Sequence, residues 1–205
     1  MPEQPTKPEA QQVPRKSFSE FQEYRRIPSL IMLIRELKHF LRDCSSALDI
    51  GCGDLSPMRF VPCAKLIGVD GYEPALNGAR KLGTHDEYYL SDVTKVGELF
   101  PNRRFDACVS LDVIEHLHKP QGWSLLEQME KLATKRVIIL TPNGFLPQKS
   151  HDGDLQEHVS GWTPEEFRAR GYQVYGMYGP KSYRGEHHRI TKAPMPFWLL
   201  ASIFL

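Results

Sequence analysis

With 205 residues and 26 Lys+Arg against 25 Asp+Glu, the chain has a formal net charge of +1, and its length suits one domain with room for appendages. A content of 40% hydrophobic and 10% aromatic residues is enough to bury a core, which excludes a wholly disordered or fibrous protein. The balanced charge offers no polycationic surface, so non-specific binding of nucleic acid is not expected. Four cysteines, Cys44, Cys52, Cys63 and Cys108, lack paired C-x-x-C spacing and the first residues are polar. The expectation is a cytoplasmic, reducing setting without a secretory leader.

Residues 1–16 hold four prolines, with Thr6 and Val13 their only β-branched side chains, so a disordered tail is predicted. The domain proper is expected over 17–192. After Pro28, Leu30, Leu33, Ile34, Leu37 and Leu41 fall on one stripe with Ser29 as the expected cap, an amphipathic helix packing on a sheet. Short apolar runs at 47–50, 66–69, 88–90, 107–111 and 137–140 then alternate with helical or turn-rich stretches, the rhythm of a parallel sheet with crossover helices. The best crossover helix is 123–135, where Leu125, Leu126, Met129, Leu132 and Ala133 share a face after Pro120. A late helix over 164–170 is capped by Thr163 and stopped by Gly171, and strands at 172–175 and 188–190 follow. Residues 193–205 form an apolar end, almost unbroken from Phe197 to the final Leu205. Its last nine residues are too few to span a bilayer as a helix, leaving docking on the domain or a peripheral membrane contact.

The most informative stretch is Ala47-Leu48-Asp49-Ile50-Gly51-Cys52-Gly53-Asp54. A strand running into two glycines lets the backbone turn tightly and approach a ligand with no Cβ in the way. Ser56 and Pro57 read as the cap and first position of a following helix whose amides face the same ligand. Asp70 ends the second strand nineteen residues after Gly51, the spacing of an acid that accepts hydrogen bonds from both ribose hydroxyls. Asp92 follows the third strand, and the ends of parallel strands open on one crevice where ligands bind.

Taken in order, these residues resemble the class I S-adenosylmethionine-dependent methyltransferases, in particular the small-molecule branch that includes the ubiquinone-biosynthesis type. The resemblance covers roughly 30–176 and is strongest in Phe105-Asp106-Ala107-Cys108-Val109-Ser110-Leu111-Asp112-Val113-Ile114-Glu115-His116-Leu117, with Thr141-Pro142-Asn143 and Trp162-Thr163-Pro164 supporting it. It implies a Rossmann-like α/β fold: a doubly wound, mostly parallel seven-stranded sheet with an antiparallel last strand and helices on both faces. It also implies S-adenosyl-L-methionine as cofactor. Gly51 and Gly53 would meet its methionine portion with Asp49 at the same loop, and Asp70 would bind the ribose. Gly71 and Tyr72 would flank the adenine, Asp92 and the Val93 amide would read the adenine edge, and Leu111 and Asp112 would border the sulfonium. The chain departs from the family at Leu55, where many members keep a glycine or small residue, and at Pro62, which shortens the next helix.

Methyl transfer to a small-molecule substrate needs a base only when the acceptor arrives protonated. His116 and His158 are the catalytic candidates, and a structural role for each stays open. No metal is expected, because neither His116 with His118 nor Glu186 with His187 and His188 has closed tetrahedral spacing. The basic stretch 181–189 reads as a solvated loop or an anion contact. Two other readings remain at this point: an NAD-dependent oxidoreductase, weakened by Ser56 at the third-glycine position, and a catalytically silent module that only binds a partner.

Overall fold

Unbroken apolar runs are what a sheet covered on both faces requires of its inner strands, and the runs between residues 46 and 140 form such a sheet. The computed structural model describes residues 11–12, 28–149 and 154–177. They fall in two compact units, Met1–Thr141 and Pro142–Leu205.

In the first unit, chain order gives β1 (Gln11–Gln12), α1 (Pro28–Phe40), β2 (Ser46–Ile50), β3 (Lys65–Asp70), α2 (Glu73–Leu82), β4 (Glu87–Leu90), α3 (Val96–Leu99), β5 (Phe105–Leu111), α4 (Lys119–Leu132) and β6 (Ala133–Leu140). The sheet order is β1-β4-β3-β2-β5-β6. β2 to β6 pair in parallel, and β1 pairs antiparallel with β4. Ile50 lies opposite Val69 on one side and Ser110 on the other, Asp70 opposite Leu90, and Leu111 opposite Leu140. The carboxyl ends therefore finish level. The order reverses at β2, where consecutive connections depart to opposite sides and leave a crevice between the loops after β2 and β5. Ala47, Leu48, Ile50, Leu66, Ile67, Val69, Ala107, Cys108 and Val109 are fully buried around this point.

Several sequence expectations need correction. Among the described residues there are six strands rather than seven, and the antiparallel one is β1, inside the stretch read as a disordered tail. The stretch 172–175 is not a strand. The Tyr172 amide folds back to the Phe167 carbonyl at 3.1 Å and its ring lies edge-on to Phe167, so its backbone is spent closing a helix. The expected strand at 188–190, the basic stretch and the apolar end from Phe197 to Leu205 lie outside the described residues. No helix among the described residues is long and apolar enough to cross a membrane.

Helix α1 begins at Pro28, which puts Ser29 inside its first turn rather than at the cap. Helix α4 begins at Lys119, with Pro120 in its first turn, where a missing N–H does no harm. It ends at Leu132, and Ala133, expected on its apolar face, is already extended at φ −81°, ψ 138°. The Thr134 hydroxyl there donates to the Phe105 carbonyl at 3.2 Å, joining β6 to β5 without a loop.

In the second unit, α5 (Pro164–Ala169) is capped as expected. The Glu166 amide donates to Thr163 Oγ1, and Glu166 Oε2 accepts from the Thr163 amide at 2.9 Å, a reciprocal capping box. Trp162 is buried against Phe167, its Nε1–H donated to Ser160 Oγ.

Candidate active site

The loop between β2 and β3 takes its shape from two glycines at positive φ, Gly51 at 72° and Gly53 at 54°. Such angles are strained for residues with a Cβ. A Cβ on Gly51 would stand 2.3 Å from Val113 Cγ2, so this turn closes against the segment that follows β5. A Cβ on Gly53 would meet nothing within 4 Å, which leaves open space above that backbone. The Gly51 and Cys52 amides donate to the Val69 carbonyl at 2.8 and 3.1 Å.

Asp70, at the end of β3, ties this loop to the next one. Its Oδ2 accepts from the Gly53 amide and its Oδ1 from the Tyr72 amide, each at 2.7 Å. Each carboxylate oxygen has a second lone pair, so the group that shapes the turn can still accept from a ligand's hydroxyls. Burial pushes the Asp70 carboxyl up, outweighing its amide bonds, and the nearby Asp49 charge adds to the rise. The Asp70 carbonyl accepts from the Ser91 amide at 3.0 Å, and Gly71 lies against the Ser91 carbonyl. The loops after β2, β3 and β4 are thereby stitched into one edge. Tyr72 presents an exposed ring there. Asp92 is exposed, and its Oδ1 takes both the amide and the hydroxyl of Thr94, capping a 3₁₀ turn at Val93–Lys95.

Beyond β5, Leu111 is half-buried and Asp112 exposed. Asp112 holds a left-handed φ of 53° while its amide donates to the Leu140 carbonyl at 2.9 Å. Such a conformation is uncommon outside glycine and concentrates at functional sites.

Residues 48–146 match the model of a family described as the methyltransferase domain. Those residues are similar to a methyltransferase domain. The mitochondrial ubiquinone biosynthesis O-methyltransferase of Arabidopsis thaliana is 27% identical over 156 residues, which make up 67% of this chain and 48% of that protein. The chain thus spans about half the length of the curated relative it matches. Two solved structures share the fold. The plantazolicin methyltransferase BpumL in complex with SAH has a TM-score of 0.52 at 21% identity, covering 69% of this chain and 60% of that one. The small RNA methyltransferase HEN1 has a TM-score of 0.53 at 22% identity, covering 69% of this chain and 20% of that one.

The edge has features that fit S-adenosylmethionine, the cofactor that the sequence resemblance implies. Open space over Gly53 suits a ligand that approaches main chain, and Asp70 retains acceptor capacity beside it. One sequence expectation fails here. The segment after the glycine loop is a single 3₁₀ turn, Pro57–Phe60, rather than a helix aimed at the ligand. Ser56 does cap it, accepting from the Met58 amide at 3.1 Å. However, Pro62 forces the preceding Val61 to an extended φ −86°, ψ 131° and ends the turn.

The two histidines lie in different units and are described apart. His116 is half-buried at the end of the 3₁₀ turn Ile114–His116 that follows β5. His158 is buried, and its Nδ1 lies 2.7 Å from the Leu146 carbonyl. A carbonyl only accepts, so Nδ1 carries the hydrogen and the basic lone pair of the neutral ring is on Nε2.

Sequence reasoning assigned no role to three groups that the fold brings to this edge. Glu115 is 2% exposed and accepts from Thr141 Oγ1 at 3.0 Å. Burial, reinforced by the Asp112 charge, pushes its carboxyl up to about 7. His85 and Thr84, both fully buried, lie beneath the glycine loop, His85 against Asp49 and Thr84 against the His85 ring. The one hint of them in the sequence is Gly68, a side-chain gap in an otherwise apolar strand.

Proposed function

We propose that the chain transfers the methyl group of S-adenosylmethionine to a small-molecule acceptor. The observation that carries this reading is the joined edge made by Gly51, Gly53, Asp70 and Tyr72 in a chain similar to a methyltransferase domain. The ubiquinone-type relative favours a small acceptor bearing a hydroxyl.

When bound, S-adenosylmethionine supplies an electrophilic methyl group on a sulfonium, whose positive charge disappears on transfer. In this reading the Gly51 to Gly53 backbone receives the methionine portion, Asp70 accepts from the ribose hydroxyls, and Gly71, Tyr72, Asp92 and Val93 border the adenine. Leu111 and Asp112 stand at the reacting end. Holding donor and acceptor aligned can contribute about 7 to 11 kcal/mol of barrier lowering, the main demand this chemistry makes on a protein. A hydroxyl acceptor must also lose a proton, and His116 or His158 takes it. The four cysteines are all free and buried, consistent with a reducing, cytoplasmic setting.

Titration of the purified chain with S-adenosylmethionine, S-adenosylhomocysteine and NAD tests the assignment, and preferential binding of NAD would overturn it. Once an acceptor is in hand, His116→Ala or His158→Ala is expected to lower turnover about 10²- to 10⁴-fold with cofactor affinity unchanged. Full turnover by both variants would leave alignment alone as the mechanism.

A further inference from the structure

Beneath the glycine loop lies a polar cluster that no step of the proposed transfer uses. Asp49, 1% exposed in β2, accepts two hydrogen bonds on the same oxygen, Oδ2: from Ser56 Oγ at 2.5 Å and from His85 Nε2 at 2.9 Å. The His85 ring is fully buried, with Nδ1 2.8 Å from Thr84 Oγ1. Its backbone amide donates to the Tyr88 hydroxyl at 2.7 Å, and that hydroxyl donates to the Ala79 carbonyl. Nε2 lies against the carboxylate and Nδ1 against the Thr84 hydroxyl, so both ring nitrogens have a partner.

The sheet is built to allow this contact. Asp49 in β2 lies opposite Gly68 in β3, which lies opposite Tyr88 in β4. His85, entering from the far side of β3, passes over Gly68 to reach Asp49. A Cβ at Gly68 would stand 2.9 Å from Cys52 Sγ and 3.1 Å from His85 Cγ, so a side chain there would push the ring off its path. The bond from Asp49 to Ser56 in turn closes the chain between residues 49 and 56, with both cofactor-loop glycines inside the closed segment.

We propose that His85 is the positioning residue of the cofactor loop. Acting through Asp49 rather than on the cofactor, it holds the two ends of the glycine turn at the separation that receives S-adenosylmethionine. This rests on the reading of that turn as the cofactor cradle. A buried carboxylate that loses its partner must take up a proton or move toward water. Either change weakens the Asp49 to Ser56 tie, which loses its charge-assisted strength or its geometry, and the loss falls on cofactor binding.

The test is calorimetric titration of S-adenosylhomocysteine into the full chain carrying His85→Leu, His85→Gln or His85→Asn, with thermal unfolding recorded for each. Leucine fills the ring's volume without a donor. Glutamine places an N–H near the position of Nε2, and asparagine is too short to do so. The expected result is at least a tenfold loss of affinity for His85→Leu and His85→Asn, and affinity within threefold of wild type for His85→Gln. Equal affinities for the glutamine and asparagine variants, or a leucine variant within threefold of wild type, would overturn the proposal, because packing alone would then explain the histidine. If the leucine variant fails to unfold cooperatively, the comparison of glutamine with asparagine decides on its own. Failure of the wild-type chain to bind S-adenosylhomocysteine would instead overturn the cradle reading, and this inference with it.

Discussion

Replacing Glu115 with glutamine is expected to stabilise the protein at pH 8 and to change little at pH 4. The carboxyl is 2% exposed and raised from 4.5 to about 7, chiefly by burial and then by the Asp112 charge. Below pH 4.5 the group is protonated in both folded and unfolded chains and contributes nothing to the pH dependence. Between pH 4.5 and 7 the unfolded chain ionises while the folded one keeps its proton, so stability falls as pH rises, and above pH 7 the whole penalty is present. At 1.36 kcal/mol per pH unit, that penalty is about 3 kcal/mol. Glutamine cannot ionise, and its amide oxygen still accepts from Thr141 Oγ1. The variant should unfold roughly 6 to 12 °C higher than wild type at pH 8, with the gap closing toward pH 4. Differential scanning calorimetry from pH 4 to 8.5 measures this directly. A gap of the same size at every pH, or a variant less stable than wild type at pH 8, would refute the argument.

Two further outcomes follow from the loop geometry. Asp70→Ala removes the acceptor for the Gly53 and Tyr72 amides as well as any bond to ribose. At about 1.5 to 3 kcal/mol for each charge-assisted bond, S-adenosylhomocysteine affinity should fall roughly a hundredfold or more by calorimetry, and unchanged binding would sink the ribose assignment. Gly51→Ala meets both a positive φ and Val113, whereas Gly53→Ala meets only the φ. Thermal unfolding should show a loss of about 2 to 4 kcal/mol for the first and about 1 to 2 for the second; the reverse order would contradict the contact with Val113.

How much of this could be read without the fold depends on the range over which each feature is determined. The inner strands were legible because a sheet covered on both faces demands continuous apolar runs, and 47–50, 66–69 and 107–111 supply them. Pro62 announced the shortened turn after the glycine loop, and Thr163 announced the cap of α5, since such devices act within a few residues. The glycines and Asp70 carried the cofactor edge because their spacing along the chain is set by one crossover unit. At 172–175, residues that favour strands instead close a turn on Phe167, so a tertiary contact prevailed over propensity. His85 stands 36 residues from Asp49, and only the register of β2, β3 and β4, with Gly68 clearing the way, brings the ring to the carboxylate. The rise of the Glu115 carboxyl is likewise a property of burial, decided by how the segment after β5 packs once the sheet has formed.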